Sequence, residues 1–244
     1  MRFYCKLPLI CITILMICSC FIAMAQQPEE PIPGPKIEGP WLWAVVPMAQ
    51  DTTGAVDLGR DHLAAFTNGA VTEQQIARNG TMPLAPLADT GTVWVPLGLP
   101  PTDPDNITTI LQTLHQFLRR PGDIDTDNQV AYGSIILNSP RRQNTLMFAG
   151  SDDNHKVWLN GQLVNEQLNW HWDHDYQESF PVTLKRGENV LLVAVQNGAG
   201  RWGGYFGFEE GTAYSVVGEG PVEEGIVDDE PVEEAITDIG GVRK

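Results

Sequence analysis

Asn160-Gly161 is the dipeptide that most restricts how this chain can fold. It separates Lys156-Val157-Trp158-Leu159 from Gln162-Leu163-Val164. Both residue types tolerate positive φ, which the right-handed two-residue hairpin turn requires at both central positions. Two strands are therefore predicted to pair across it. The neighbouring pattern is also β. Val130 to Leu137 reads as a strand ended by Pro140, and Thr145 to Ala149 as the next. Phe180 to Leu184 turns through Lys185-Arg186-Gly187-Glu188 into Val190-Leu191-Leu192-Val193-Ala194-Val195. That run is apolar at every position, as expected of a strand covered on both faces. Gly204 to Phe208 closes the series. Short strands separated by turns predict a mainly β sandwich of the jelly-roll type.

The preceding residues are mixed. Trp41 to Val46 reads as a strand stopped by Pro47, and Val93 to Leu97 as another. Asp61 to Phe66 suggests a helical turn. Thr72 and Gln75 have the spacing of a capping box, with Asn79-Gly80 as the helix stop. Asn106 is placed to cap a second helix, whose Ile107, Ile110, Leu111, Leu114 and Leu118 share one face. Arg119 and Arg120 suit its C-terminal end, and Pro121-Gly122 ends it. The expected β-sandwich domain thus spans 41–208, with about two short helices in an N-terminal extension.

The flanks read differently. Arg2 and Lys6 precede an apolar run from Leu7 to Ala23, and Ala23-Met24-Ala25 fits a cleavage site. Residues 1–25 are therefore expected to be an export signal. Cys20 is the one position for a lipid anchor, the alternative to simple cleavage. All four cysteines, Cys5, Cys11, Cys18 and Cys20, lie in this segment. A processed chain would have no disulfides or thiolate ligands, so its hydrophobic core must hold it together. Residues 26–40 read as a Pro-rich linker. Residues 209–244 carry eleven acidic and two basic side chains and repeat Pro-Val-Glu-Glu at 221 and 231. They are expected to be an acidic disordered tail. The chain has 31 acidic and 15 basic residues, a formal charge of −16. Nucleic acid is disfavoured as a partner, because binding its phosphates needs a basic patch and this chain is strongly acidic. The signal implies a periplasmic, cell-surface or extracellular location, with membrane contact only through the signal or Cys20.

Gly150 to Val164 and Phe180 to Val193 carry a resemblance to a known family. Trp158-Leu159-Asn160-Gly161-Gln162-Leu163-Val164 and Leu184-Lys185-Arg186-Gly187-Glu188-Asn189 are similar to motifs of the galactose-binding-like jelly roll at the front of family 2 glycoside hydrolases. Ser151-Asp152-Asp153 is similar to protective-antigen-type sugar-binding sandwiches. The body also resembles secreted bacterial proteins that open on Gly-Pro-Trp-Leu-Trp, here residues 39–43. The first two resemblances imply a sandwich over residues 130–208. The protective-antigen type further implies a calcium ion held by Asp152 and Asp153 that ligates sugar hydroxyls. Asn154 stands where that family usually has glycine, and no second acidic ligand follows Asn197.

The residues themselves leave alternatives open. Asp152 and Asp153 can ligate calcium, which takes oxygen donors, or cap a turn before the Val157 strand. Trp170-His171-Trp172-Asp173-His174-Asp175-Tyr176 is expected to be a loop. Its indoles can stack on sugar C–H faces, or one can pack on the core. Its His171, His174, Asp173 and Asp175 offer a transition-metal set instead. Trp202 either borders the binding edge with Asn197 or packs. Asp123, Asp125 and Asp127 alternate as in an EF-hand, but Asn128 and Ser134 occupy its glycine and glutamate positions. Gly198 to Gly203 matches a dinucleotide glycine pattern, but no helix follows. A serine elbow and an HExxH helix are absent.

The leading expectation is an exported, non-catalytic carbohydrate- or glycan-binding module, with calcium as the implied ion. Its ligand contacts would be Trp170, Trp172, Asp152, Asp153, Asn197 and Trp202. The alternatives are a structural or protein-interaction module of the cell envelope and a metal-assisted hydrolase.

Overall fold

A computed structural model describes residues 30–81, 93–117, 124–172 and 175–217. Residues 1–29, with the expected export signal and Cys20, residues 82–92 and 118–123, Asp173, His174 and residues 218–244 lie outside these residues. Among the described residues the fold is mainly β, a curled antiparallel sheet with three helices, consistent with a β-sandwich.

The strands are β1 (Pro33–Lys36), β2 (Trp41–Pro47), β3 (Val95–Leu97), β4 (Gln129–Ser139), β5 (Gln143–Leu159), β6 (Gln162–Trp172), β7 (Glu178–Leu184), β8 (Gly187–Asn197), β9 (Gly203–Glu209) and β10 (Ser215–Val216). The helices are α1 (His62–Phe66), α2 (Glu73–Asn79) and α3 (Asn106–Phe117). The long strand β5 organises the sheet. Its first half pairs with β7 and β9, and its second half with β6 and β8. The path continues from β8 through β4 and β2 to β3, and from β9 to β1.

The hairpin turn forms as its residues dictate, with φ of 53° at Asn160 and 82° at Gly161. Helix α2 seats on this tip, where Gln74 Nε2 donates to the Gly161 carbonyl at 2.7 Å. The predicted capping box is also present: Gln75 N donates to Thr72 Oγ1, and Thr72 N to Gln75 Oε1.

The apolar run of β8 divides between two cores. Leu191, Val193 and Val195 face the sandwich interior with Trp41, Trp43, Trp202 and Phe206. Leu192 and Ala194 face the opposite way, with Leu63, Ile76, Tyr132 and Trp158. The second face is thus covered by α1 and α2. Burial on both faces is why residues 190–195 include no polar position.

Four expectations change. Thr145–Ala149 and Lys156–Leu159 are parts of one strand, because residues between them pair with β9 and β6. No turn exists there for Asp152 and Asp153 to cap. Asn106 does not act as a simple cap: its Nδ2 donates to the Gly204 carbonyl at 2.8 Å and its Oδ1 accepts from Gly204 N at 2.9 Å. Its amide therefore imitates a strand partner for β9. The second half of the expected linker is β1, which pairs with β9 at Pro33↔Glu209 and Lys36↔Gly207. Proline is tolerated at such an edge because the outward N–H is not needed. The start of the expected tail is also built in. Gln143 Nε2 donates to the Ala213 carbonyl at 2.6 Å, Tyr214 packs on Phe208, and β10 pairs with β4.

Candidate functional site

Three strands converge near the middle of β5. Asp152 and Asp153 lie opposite Trp172 and His171 of β6 in the antiparallel register. Gly198 follows the last residue of β8, and its N–H donates to Asp153 Oδ2 at 2.7 Å. Two additional residues of β6 bulge between Asp153↔His171 and His155↔Gln167. A bulge redirects side chains locally. Here Trp170 lies over Gly198, so that a Cβ on Gly198 would sit 2.5 Å from the indole. Glycine is required there for the ring to approach the backbone.

The expected loop from Trp170 is therefore strand as far as Trp172. The two indoles remain in solvent: Trp170 is 53% exposed and Trp172 78%. Asp152 and Asp153, on the neighbouring strand β5, are 4% and 8% exposed. Burial raises the Asp153 pKa, while the Gly198 N–H and the Asp152 side chain pull it back. No lysine or arginine reaches Asp153 among the described residues. The carboxyl is thus held in a poorly solvated place where a cation, a proton or a hydroxyl donor would be favourable.

Oxygen atoms of the kind calcium accepts occur on these residues, and Asp152 already has a partner within the chain. Asp152 and Asp153 supply carboxylates, and the amide oxygens of Asn154 and Asn197 are buried without hydrogen-bond partners among the described residues. Calcium accepts such carboxylate and amide oxygens. No three of His, Cys, Asp and Glu converge among the described residues. The transition-metal set also has other commitments. His171 Nε2 meets Gln167 Nε2, and Asp175 Oδ1 is ion-paired to Lys36 at 3.0 Å. His174 and Asp173 lie outside the described residues.

Trp202 does not belong to the binding edge. It is fully buried, and its indole Nε1 donates to the Val195 carbonyl at 3.2 Å. It fills the sandwich interior beneath α3, where Ile107 N donates to the Trp202 carbonyl. Asn197 is also fully buried, and its Nδ2 donates to the Thr126 carbonyl at 2.9 Å. Its Oδ1 has no hydrogen-bond partner among the described residues.

Sequence reasoning missed a polar row behind the site. Ser151 Oγ lies 2.8 Å from His155 Nδ1, and His155 Nε2 lies 2.9 Å from Asn165 Oδ1 and 3.2 Å from Glu178 Oε1. The His155 contact holds the Glu178 pKa below its ordinary value. The residue types suggest a nucleophile, base and acid, but Ser151 and His155 are both 0% exposed. A substrate carbonyl cannot reach that hydroxyl in this conformation. The row locks β5, β6 and β7 together behind the aspartates. Its members lie up to 27 residues apart and form no local motif, so nothing in the sequence pattern reveals it.

No family model matches the chain, and no curated protein does. Similar solved structures include a PA14 sugar-binding domain from an RTX adhesin, at 15% identity and a TM-score of 0.36, covering 72% of this chain and 93% of that one. A family 35 carbohydrate-binding module from Clostridium thermocellum is 17% identical with a TM-score of 0.23, covering 33% and 68%. The β-glucuronidase of Parabacteroides merdae is 12% identical with a TM-score of 0.33, covering 74% of this chain. The chain spans only 22% of that enzyme. These neighbours are sugar-binding and glycosidase-type β-sandwich proteins. Likeness at this level carries no argument about activity.

Proposed function

We propose that this chain is an exported, non-catalytic module that binds carbohydrate or cell-surface glycan where β5, β6 and β8 meet. One observation carries the reading: two largely exposed tryptophans stand beside a buried aspartate that meets no cation among the described residues. Large exposed apolar groups mark interaction sites. An indole offers a flat apolar face for the C–H side of a pyranose ring, and the Asp153 carboxylate accepts hydrogen bonds from its hydroxyls. Calcium bound by Asp152 and Asp153, with the Asn197 amide oxygen, would neutralise these carboxylates and offer open positions to vicinal hydroxyls. Export rests on the charged, apolar and small-residue pattern of residues 1–25.

A glycan array probed with and without chelator tests this reading. Binding is expected to fall on chelation. Trp170→Ala and Trp172→Ala should each lower the affinity for an array hit by about tenfold, the order of one aromatic contact. Unchanged affinity in both variants would refute it.

A protein-interaction module is the second reading, and one feature favours it. Strand β6 pairs only with β5, so its outer edge is open among the described residues. An open edge can accept a strand from a partner. Competition by free saccharide would separate the two, because strand addition would be indifferent to it.

A further inference from the structure

A second site lies on the open side of the sandwich. Strands β6 and β7 both pair with the same side of β5, at its opposite ends. The sheet curls so that residues from both ends of β5 line one cleft of about 720 Å³ between the two strands. This is the size of a small-ligand site. The cleft is remote in sequence register from Asp153: it involves Gln162 and Val164 at the start of β6, whereas the tryptophans lie at its end.

Its chemistry is the reverse of the rest of the chain. The formal charge of the protein is −16, yet among the described residues the cleft is lined by Arg142 and Lys185 and by no aspartate or glutamate. Both cations are exposed, and neither is ion-paired among the described residues. Thr183 Oγ1 donates to Asn144 Oδ1 at 2.8 Å, which occupies the acceptor side of that amide and leaves its N–H groups to donate. The floor is apolar, with Val164 and Val182 packed on the core. Donors and positive charge around an apolar floor match a ring that has C–H faces and carries an anion.

We propose that this cleft is a binding site for an acidic saccharide, a uronate whose carboxylate meets Arg142 and Lys185. The proposal is independent of the Asp153 site. The ligand's carboxylate takes the two cations, its hydroxyls accept from Asn144, and its ring lies on Val164 and Val182. The rim cations are solvated, so added salt weakens the interaction.

Calorimetric titration of the full-length chain with trigalacturonate, against its methyl ester, tests the proposal. The acid should bind about fivefold more tightly than the uncharged ester, the order of a solvated surface ion pair. An R142Q/K185Q double variant should lose the difference, and both substitutions are at exposed positions that leave the core intact. Asp153→Asn and Trp172→Ala should leave uronate binding unchanged. Equal binding of acid and ester, or wild-type affinity in R142Q/K185Q, overturns the proposal. Loss of uronate binding in Asp153→Asn would move the ligand to the other site and also overturn it. A full-length E223Q/E224Q/E233Q/E234Q variant supplies the last arm. If trigalacturonate binds only to that variant, the cleft belongs to the chain's own acidic segment and the saccharide proposal falls.

Discussion

Two buried carboxylates in this protein are treated in opposite ways. Glu73, at the start of α2, is compensated from within the chain. Tyr132 Oη donates to its Oε1 at 2.6 Å, and Lys156 Nζ lies 3.6 Å from its Oε2. Lys156 is itself 2% exposed and donates to the carbonyls of Gly59 and Arg60. The cluster ties α2 and the loop before α1 to the outer face of β4 and β5. Asp153 receives one backbone N–H and the Asp152 side chain, and no cation among the described residues. Exposed indoles flank it, whereas Glu73 is sealed beneath helices. A carboxylate satisfied by its own chain holds the fold together. One left with capacity, at the surface, can take a ligand.

The contrast can be broken first at Lys156. Lys156→Met removes the one cation found beside Glu73 among the described residues and should destabilise the fold by about 3 kcal/mol, the cost of leaving a buried charge without its partner. Chemical denaturation measures this. Asp153→Asn should do the opposite in kind, changing stability by less than about 1 kcal/mol while removing the saccharide and calcium binding proposed for the site beside Trp170 and Trp172. Comparable destabilisation in both variants would erase the distinction.

A smaller effect lies in the pH dependence. Burial raises Glu73 to about 7, against the opposing pull of Lys156 and Tyr132. The folded state therefore binds this proton more tightly than the unfolded state. The resulting stability is complete below the ordinary carboxylate range and is lost as pH rises through about 7. His62 shifts the other way: burial, aided by Lys156, lowers it to about 4. Its contribution is complete above its ordinary pKa of 6.5 and is lost as pH falls through about 4. The two oppose each other across this window. Glu73→Gln should leave the His62 effect unopposed, so that acidification from pH 6.5 to 4 destabilises the variant more than wild type. His62→Gln should be relatively more stable at the acid end. Denaturation midpoints at several pH values would show both slopes.

Legibility in the sequence followed the range over which each feature is determined. The Asn160-Gly161 turn and the Thr72–Gln75 box were readable because a few adjacent residues define them. The β8 run announced burial on both faces, but not that α1 and α2 provide the second cover. Asn106 looked like a cap because its true partner, Gly204, is 98 residues away. Strands β1 and β10 are too short and too close to the sheet edge to produce an alternating pattern. Trp202 sits among glycines and reads as loop, yet its indole fills the interior. The tryptophan window and the two aspartates were found from residue type. Their meeting depends on the β6 bulge and on Gly198, which have no signature in the sequence. The Arg142–Lys185 cleft was illegible for the same reason: only the curl of β5 brings its ends together.

The most direct test of the central claim is the response of the indole N–H resonances to a bound glycan. In spectra of labelled full-length protein titrated with an array hit, Trp170 and Trp172 should shift with saccharide concentration. Buried Trp41, Trp43 and Trp202 should remain in place. Saturable binding that leaves the Trp170 and Trp172 signals unmoved would contradict the account.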